Sequence, residues 1–404
     1  MDLTVLLIFL TVYLGMILGG LPGLNLDRTG AALLGAIALL VFGKLSFSEA
    51  WLAIDSSTLA LLFGLMVISA QFRLSGFYTF LIRKTAASCE SPRVLLAYLV
   101  AVVGFLSSLL ANDIVCLAVA PILIEICEKR AYDPVPFLLA LACAANVGSA
   151  ATLIGNPQNM LIGQKLGLHF GHYLLQGAVP SLLGLFVVWG VICGFYCGHW
   201  QREIEITEAQ APPFDAWETI KGFLVMLLLV AFFLAAEYPR AIIALAAAGV
   251  LLCSRRMHSR EILGLIDWQL LVLFIALFVV IHSIERYGIF EYLMQFSGKS
   301  GLDLRHPAWL FTLSAALSNV VSNVPAVMLL LPSATYPVAG PVLALSSTFA
   351  GNLIVVGSIA NIIVIEQAAS RGIRITWREH AKVGVPVTLL TLALAAVWLW
   401  LVPL

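Results

Sequence analysis

Charge is what this 404-residue chain lacks. Only 11% of its residues are Asp, Glu, Lys or Arg, where a soluble domain carries about 25%. Hydrophobic residues make up 61%. No soluble domain fits that balance, and the longest clearly polar stretch is about 199–218. The seven cysteines form no CxxC pair, which argues against a disulfide framework or a zinc site. Most of them lie in apolar runs, where a free thiol behaves as a small hydrophobe. No Walker A or other nucleotide motif is present, so an ion gradient is the expected energy source and no cofactor is called for. The 22 basic and 22 acidic residues cancel, so no nucleic-acid partner is implied. The first residues, "MDLTVLLIFLTVYLGMILGG", lack a basic n-region and a small-residue cleavage site. They read as a retained span.

What the chain has is apolar length. Windows of about 20 apolar residues, enough to cross a bilayer, recur from end to end. A β-barrel would instead alternate over strands of about 10 residues. The expectation is an all-α polytopic membrane protein in the plasma (inner) membrane, with the lipid bilayer as its first partner. Hydropathy places segments at 3–20, 27–43, 57–73, 93–127, 135–165 and 173–198. After the polar linker 199–218 come 219–236, 238–254, 268–285, 307–337, 340–367 and 382–403.

The two sets of six repeat each other. Asp55 in "AIDSSTLALLF" matches Asp267 in "LIDWQLLVLF", 212 positions on. "SGFYTFLI" matches "YGIFEYLM" at the same offset. Ser107, Asn112 and Pro121 match Ser318, Asn323 and Pro332 at offset 211. "IGNPQN" (154–159) matches "VGSIAN" (356–361) at offset 202. Four matches in one order at nearly one offset imply a duplication, with repeats at 1–198 and 219–404.

The stretches 93–127 and 307–337 are too long for one crossing, and small polar residues break each near its middle. They read as re-entrant hairpins: two half-helices of about 14 residues meeting at a polar tip, where backbone is buried in protein or lines a cavity. Ten crossings then remain, five per half, and the second half is inverted. Sixteen of the 22 basic residues fall on one side. The other side holds Lys44, Lys165, Arg240, Arg286, Lys299 and Arg305. The side with sixteen is cytoplasmic by the positive-inside rule, so both termini face outward and the linker faces the cytoplasm. This is the plan of an inverted-repeat secondary transporter, whose site lies where broken helices from the two halves meet.

Four elements carry the candidate site: the tips Ser107–Asp113 and Ser318–Pro325, and the broken spans "NVGSAATLIGNPQN" (146–159) and "GNLIVVGSIAN" (351–361). Half-helix ends leave N–H and carbonyl groups unpaired. Asn112, Asp113, Ser322 and Asn323 are N-cap types, and Pro325 suits a first helical turn. Gly155 and Gly357 offer backbone conformations closed to other residues. Asn156, Asn159, Ser358 and Asn361 add side-chain amides and a hydroxyl beside them. Such carbonyls and amides suit a cation or a polyhydroxylated solute, and the N–H ends suit an oxyanion. Asp113 is an intramembrane carboxylate, a functional group by default. It can carry a proton or hold a cation. Val324 stands at its place in the second half, so coupling is expected to be asymmetric. Glu125 and Glu366 read as interface residues, His282 as a packed residue near the outer end of its span, and Cys116 as a core thiol one turn past Asp113.

The tips "ANDIVCLAVAP" and "SNVPAVMLLLP", with "NVGSAATLIGNPQN" and "AGNLIVVGSIAN", resemble the ion transporter superfamily over nearly the whole chain. It includes ArsB-type arsenite efflux pumps, NhaD-type sodium/proton antiporters and divalent anion/sodium symporters. In the symporters both tips read Ser-Asn-Thr, and a Gly-rich break beside each completes a sodium site. Asn112 and Asn323 match the tip Asn, and Gly155 and Gly357 match the breaks. The Thr positions depart, as Asp113 and Val324. "AND" followed by Pro nine after the Asn is more similar to ArsB-type pumps. That resemblance implies a carrier that exports arsenite or antimonite hydroxide in exchange for protons, with Asp113 as the proton-linked residue and a cytoplasmic ATPase subunit as a possible partner. The alternative is an ion-coupled transporter of an inorganic anion or of sodium.

Overall fold

A computed structural model describes residues 2–21, 23–201, 212–235, 238–292 and 303–401. Residues 202–211, half of the polar linker 199–218, therefore lie outside the described residues, as does Lys299. Nineteen α-helices are present among the described residues. The first half contributes α1 (Leu3–Leu18), α2 (Arg28–Val41), α3 (Phe47–Ala53), α4 (Ser56–Leu74), α5 (Phe77–Ala87), α6 (Pro92–Leu109), α7 (Asn112–Lys129), α8 (Pro134–Ser149), α9 (Pro157–Lys165) and α10 (Phe170–Phe195). The second contributes α11 (Ala216–Ala235), α12 (Arg240–Leu252), α13 (Ser259–Leu263), α14 (Trp268–Arg286), α15 (Pro307–Val321), α16 (Asn323–Leu330), α17 (Ala339–Ala350), α18 (Ile359–Ala369) and α19 (Trp377–Leu401). Six helices are long and apolar enough to cross a membrane: α4, α6, α10, α11, α14 and α19.

Local chemistry sets the boundaries. Asp55 caps α4 through the Thr58 N–H (2.8 Å), and Asp267 caps α14 through the Leu270 N–H (2.9 Å). Both are the N-cap types that satisfy orphan donors. Proline opens α6, α8, α9 and α15, where its missing N–H has no intrahelical partner to lose.

The packing also repeats. α4 lies on α12 as α14 lies on α2; α6 lies on α8 as α15 lies on α17; α10 and α19 pack on each other. All sixteen residues of α8 and all twelve of α17 are buried, so these two form the centre of the bundle. Lipid tails are as apolar as leucine, so burial alone does not draw such helices together; close approach of small residues does. A Cβ added to Gly148 of α8 would run into the Gly104 backbone of α6, and one on Gly64 of α4 would lie 2.6 Å from the Ala244 carbonyl oxygen of α12. Large apolar side chains on α1, α10, α11 and α19, such as Leu7, Phe186, Leu227 and Trp400, point outward into what would be lipid.

Both long stretches break into antiparallel helix pairs, α6–α7 and α15–α16, but their arms are not uniform. α6 and α7 have 18 residues each, longer than the expected 14, and span about 27 Å. α15 has 15 residues, α16 has 8, and one 3-10 turn (Leu331–Ser333) follows. Arm length is set by where the chain finds a partner for its tip, which hydropathy does not register.

Candidate functional site

The four breaks in the chain come together. The Ala111 N–H at the first tip donates to Ser69 Oγ of α4 (3.0 Å), and the Asn112 N–H donates to the Gly155 carbonyl (3.3 Å). At the second tip the Asn323 amide, oriented by its surroundings, donates to the Gly357 carbonyl (3.1 Å) and the Ser347 carbonyl (3.0 Å) and accepts from Gln158 Nε2 (3.3 Å). Each tip asparagine therefore grips the glycine carbonyl of the neighbouring break. One does so through its backbone and the other through its side chain.

Inside each break one asparagine closes the loop. Asn159 Nδ2 donates to the Thr152 carbonyl (3.0 Å) and the Ser149 carbonyl (3.5 Å). Asn361 Nδ2 donates to the Ile354 carbonyl (3.2 Å) and the Gly351 carbonyl (2.8 Å). Every residue of the second set lies 202 positions after its counterpart in the first. The bonds between halves obey the same offset. Asn156 Nδ2 donates to Thr348 Oγ1 (3.3 Å), and Ser358 Oγ donates to Asn146 Oδ1 (2.8 Å); Asn156 pairs with Ser358, and Asn146 with Thr348, at 202 positions. The duplication survives as geometry.

Asn146, at the buried end of α8, is the hub. Its Nδ2 donates to Asn352 Oδ1 (2.8 Å) and Asn361 Oδ1 (3.1 Å), and its Oδ1 accepts from Ser358 and, at 3.5 Å, from Asn112 Nδ2. Asn146, Gln158, Asn352 and Asn319 lie within the expected elements but were not singled out as site residues, and Thr348 lies outside those elements. Asn146 and Thr348 carried a usable signal: they repeat at the same 202-residue offset as Gly155 and Gly357.

Three expectations need correction. Gly155 and Gly357 are not in left-handed backbone conformations. They are glycine because space is lacking: a Cβ on Gly155 would stand 2.6 Å from the Ser107 carbonyl oxygen and closer still to that of Ser149, and one on Gly357 would meet Asn319 Oδ1 at 2.9 Å. Asn112 and Asp113 are not N-caps. The N-cap of α7 is Ala111, without a side-chain cap bond, and Asn112 and Asp113 lie inside the first turn of the helix. Ser322 is the N-cap of α16 but makes no cap bond. Its φ of 76° is left-handed, a strained setting for a residue with a Cβ. Pro325 does sit in the first turn of α16, as expected.

Several buried oxygens at the tips have no protein partner: Ser107 Oγ, Ser318 Oγ, Asn112 Oδ1 and Asn319 Oδ1. Leaving such groups unmet costs about 1–3 kcal/mol each, and each can accept a further hydrogen bond. Asp113 is half-buried. No lysine or arginine is buried among the described residues. Cys116 is fully buried one turn along. Glu125 is not a simple interface residue: its buried carboxylate accepts from Arg83 (3.0 Å) and Lys129 (2.6 Å). His282 lines a crevice of about 420 Å³ together with Lys165, Phe278 and Glu285. Glu366 takes no part in the site network described above.

The family model for CitMHS, the citrate transporter, matches residues 5–342. Among similar proteins, the inner membrane protein YbiR of Escherichia coli (strain K12) is 31% identical, over 81% of this chain and 83% of its own. The silicon efflux transporter LSI3 of Oryza sativa subsp. japonica is 29% identical, over 92% of each chain. The crystal structure of the YdaH transporter of Alcanivorax borkumensis, described as having an unusual topology, superposes with a TM-score of 0.59 at 14% identity, covering 98% of this chain and 96% of that one. That likeness is one of fold.

Proposed function

This chain belongs to the CitMHS citrate transporter family, within the ion transporter superfamily, and is a secondary transporter; we propose that it exports a small neutral hydroxylated oxyacid, arsenite first among them, in exchange for protons. The observation that carries this reading is Asp113: a half-buried carboxylate next to Asn112, whose backbone N–H holds the Gly155 break, with no buried lysine or arginine among the described residues to neutralise it. A citrate-like tricarboxylate would bring further negative charge beside it. A neutral hydroxylated solute would instead find amides and hydroxyls, including Asn112, Asn146, Asn323 and Ser358. Silicic acid, the kind of solute that LSI3's description suggests, shares that chemistry with arsenious and antimonious acids. The ligand set proposed is Asn112, Gly155, Asn156, Asn159, Ser322, Asn323, Gly357, Ser358 and Asn361, with Asp113 as the proton carrier. Protonated, Asp113 is neutral and stable in a low-dielectric setting; ionised, it costs desolvation. Either form can be the state that releases solute.

The reading places the two repeats in opposite orientations, five crossings and one re-entrant hairpin each, with the 199–218 linker in the cytoplasm. Its support is the charge pattern. Four of the six basic residues assigned outside are joined in one set of contacts: Lys44 with Asp2, Tyr287 with the Lys44 carbonyl, Arg286 with Glu49, Lys165 with Asp55, and Arg240 with the Leu168 carbonyl.

A second reading, coupling to sodium, is favoured by the unpartnered oxygens of Ser107, Asn112, Ser318 and Asn319, which suit a hard cation. One experiment separates the two. Everted vesicles carrying the protein should accumulate arsenite when a proton gradient is imposed, and Asp113→Asn should abolish the dependence on that gradient. Vesicles that ignore arsenite but respond to sodium or sulfate would sink the first reading.

A further inference from the structure

We propose that the Asp55–Lys165 ion pair is the outer latch of the transport cycle, and that Asp267 is its repeat-related counterpart, which latches the cytoplasmic face in the opposite state. The proposal rests on the reading above of an inverted-repeat secondary transporter, whose site opens to one side of the membrane at a time. Asp55 caps α4, and Lys165 stands in the last turn of α9; their charged atoms are 2.9 Å apart. The same ammonium lies 5.5 Å from the Phe278 ring centre on α14. Nearby, Arg240 of α12 donates to the Gly163 carbonyl (3.3 Å) and the Leu168 carbonyl (2.5 Å). The C-terminal end of α9 is thus docked on α4 and α12, and α9 packs along α4.

The duplication supplies the comparison. Asp267 matches Asp55, α14 matches α4, and α18 matches α9. Yet α18 does not pack along α14 as α9 packs along α4. Asp267 is exposed, and its one recorded bond is the cap to Leu270. The two repeat-related pairs therefore differ: α9 is docked on α4, and α18 is not docked on α14. Two repeats of one ancestral unit can exchange conformations, which would dock α18 on α14 and release α9 from α4. Gln367 occupies the position of Lys165 (165 + 202 = 367) and cannot pair ionically, but Arg371 and Arg374 follow it by four and seven residues. Either can reach Asp267 once α18 docks. On the open side, Lys165 released from Asp55 meets Glu285, two turns past Phe278 on the same stripe of α14 and lining the same crevice.

The test uses labelling from outside the cell, with Met328→Cys as reporter because Met328 is buried in the wall of that crevice. The two exposed native thiols, Cys197 and Cys253, are assigned to the cytoplasm, and the parent chain sets the background for a membrane-impermeant maleimide. Asp55→Asn keeps the helix cap and removes only the charge. Asp55→Asn and Lys165→Gln should each raise labelling about fivefold, the double variant no further, and Lys165→Arg not at all. Adding Asp267→Asn to Asp55→Asn should return labelling toward the parent value. Unchanged labelling in the single variants, additive effects in the double variant, or Lys165→Arg behaving like Lys165→Gln would overturn the latch. None of these readings needs the substrate. A failed arsenite assay with latch-dependent labelling would remove the substrate assignment and leave the latch.

Discussion

Gly155→Ala asks the site geometry its most direct question. The new methyl carbon would lie 2.6 Å from the Ser107 carbonyl oxygen and closer still to that of Ser149, well inside contact distance. Both are backbone atoms, on the first hairpin and at the end of α8, so no side-chain rotation relieves the clash. Overpacking of this kind costs about 1–3 kcal/mol, and two immovable neighbours place this case at the upper end, about 3 kcal/mol. The hairpin must then back away from the break, and the Asn112 N–H bond to the Gly155 carbonyl goes with it. The measurement is the thermal unfolding midpoint in detergent beside transport in vesicles. A fall of about 5 °C is expected, with transport lost even at low temperature. Gly249→Ala is the control: it lies in α12 with no heavy atom within 4 Å of the added carbon. There the same change should be neutral or stabilising by up to about 1 kcal/mol. Wild-type stability and transport in Gly155→Ala would refute the close approach of hairpin and break, and with it the assembled site.

Other predictions follow from single contacts. Asn146→Ala removes the hub that joins Asn112, Asn352, Asn361 and Ser358; it should destabilise the chain by roughly 3 kcal/mol or more by leaving several buried groups unmet, read by the same unfolding assay, whereas Asn146→Asp should lose transport with a smaller stability change. A topology reporter fused at residue 210 should read cytoplasmic, and an outside reading would remove the inverted assignment. At the start of α3, the Ser46 backbone N–H and then Arg286 hold the Glu49 carboxyl down at about 2. A depressed carboxyl contributes stability above its unfolded value and loses it as pH falls through the folded one. Acid titration of Glu49 by carboxyl NMR should therefore find it ionised at pH 4, and Arg286→Gln should move its midpoint upward.

The sequence by itself determined the class of molecule and the places where its helices break. Composition and apolar length suffice for a polytopic helical protein, because a bilayer admits few alternatives. The duplication singled out Asn112, Asn323, Gly155 and Gly357, since two copies of one unit keep their breaks at fixed offsets. Tertiary structure decided what those residues do. Gly155 is glycine for want of room, not for its torsion angles, and room is set by Ser107 and Ser149 arriving from other elements. Asn112 lies inside the first turn of its helix and turns its amide to Asn146, 34 residues on. The hub itself joins residues 206 and 215 positions apart, beyond any local pattern. Asp113 was legible as an odd charge. That no buried lysine or arginine answers it among the described residues, and that Asp55 pairs with Lys165 while Asp267 is exposed, could be seen only once the two halves were packed together.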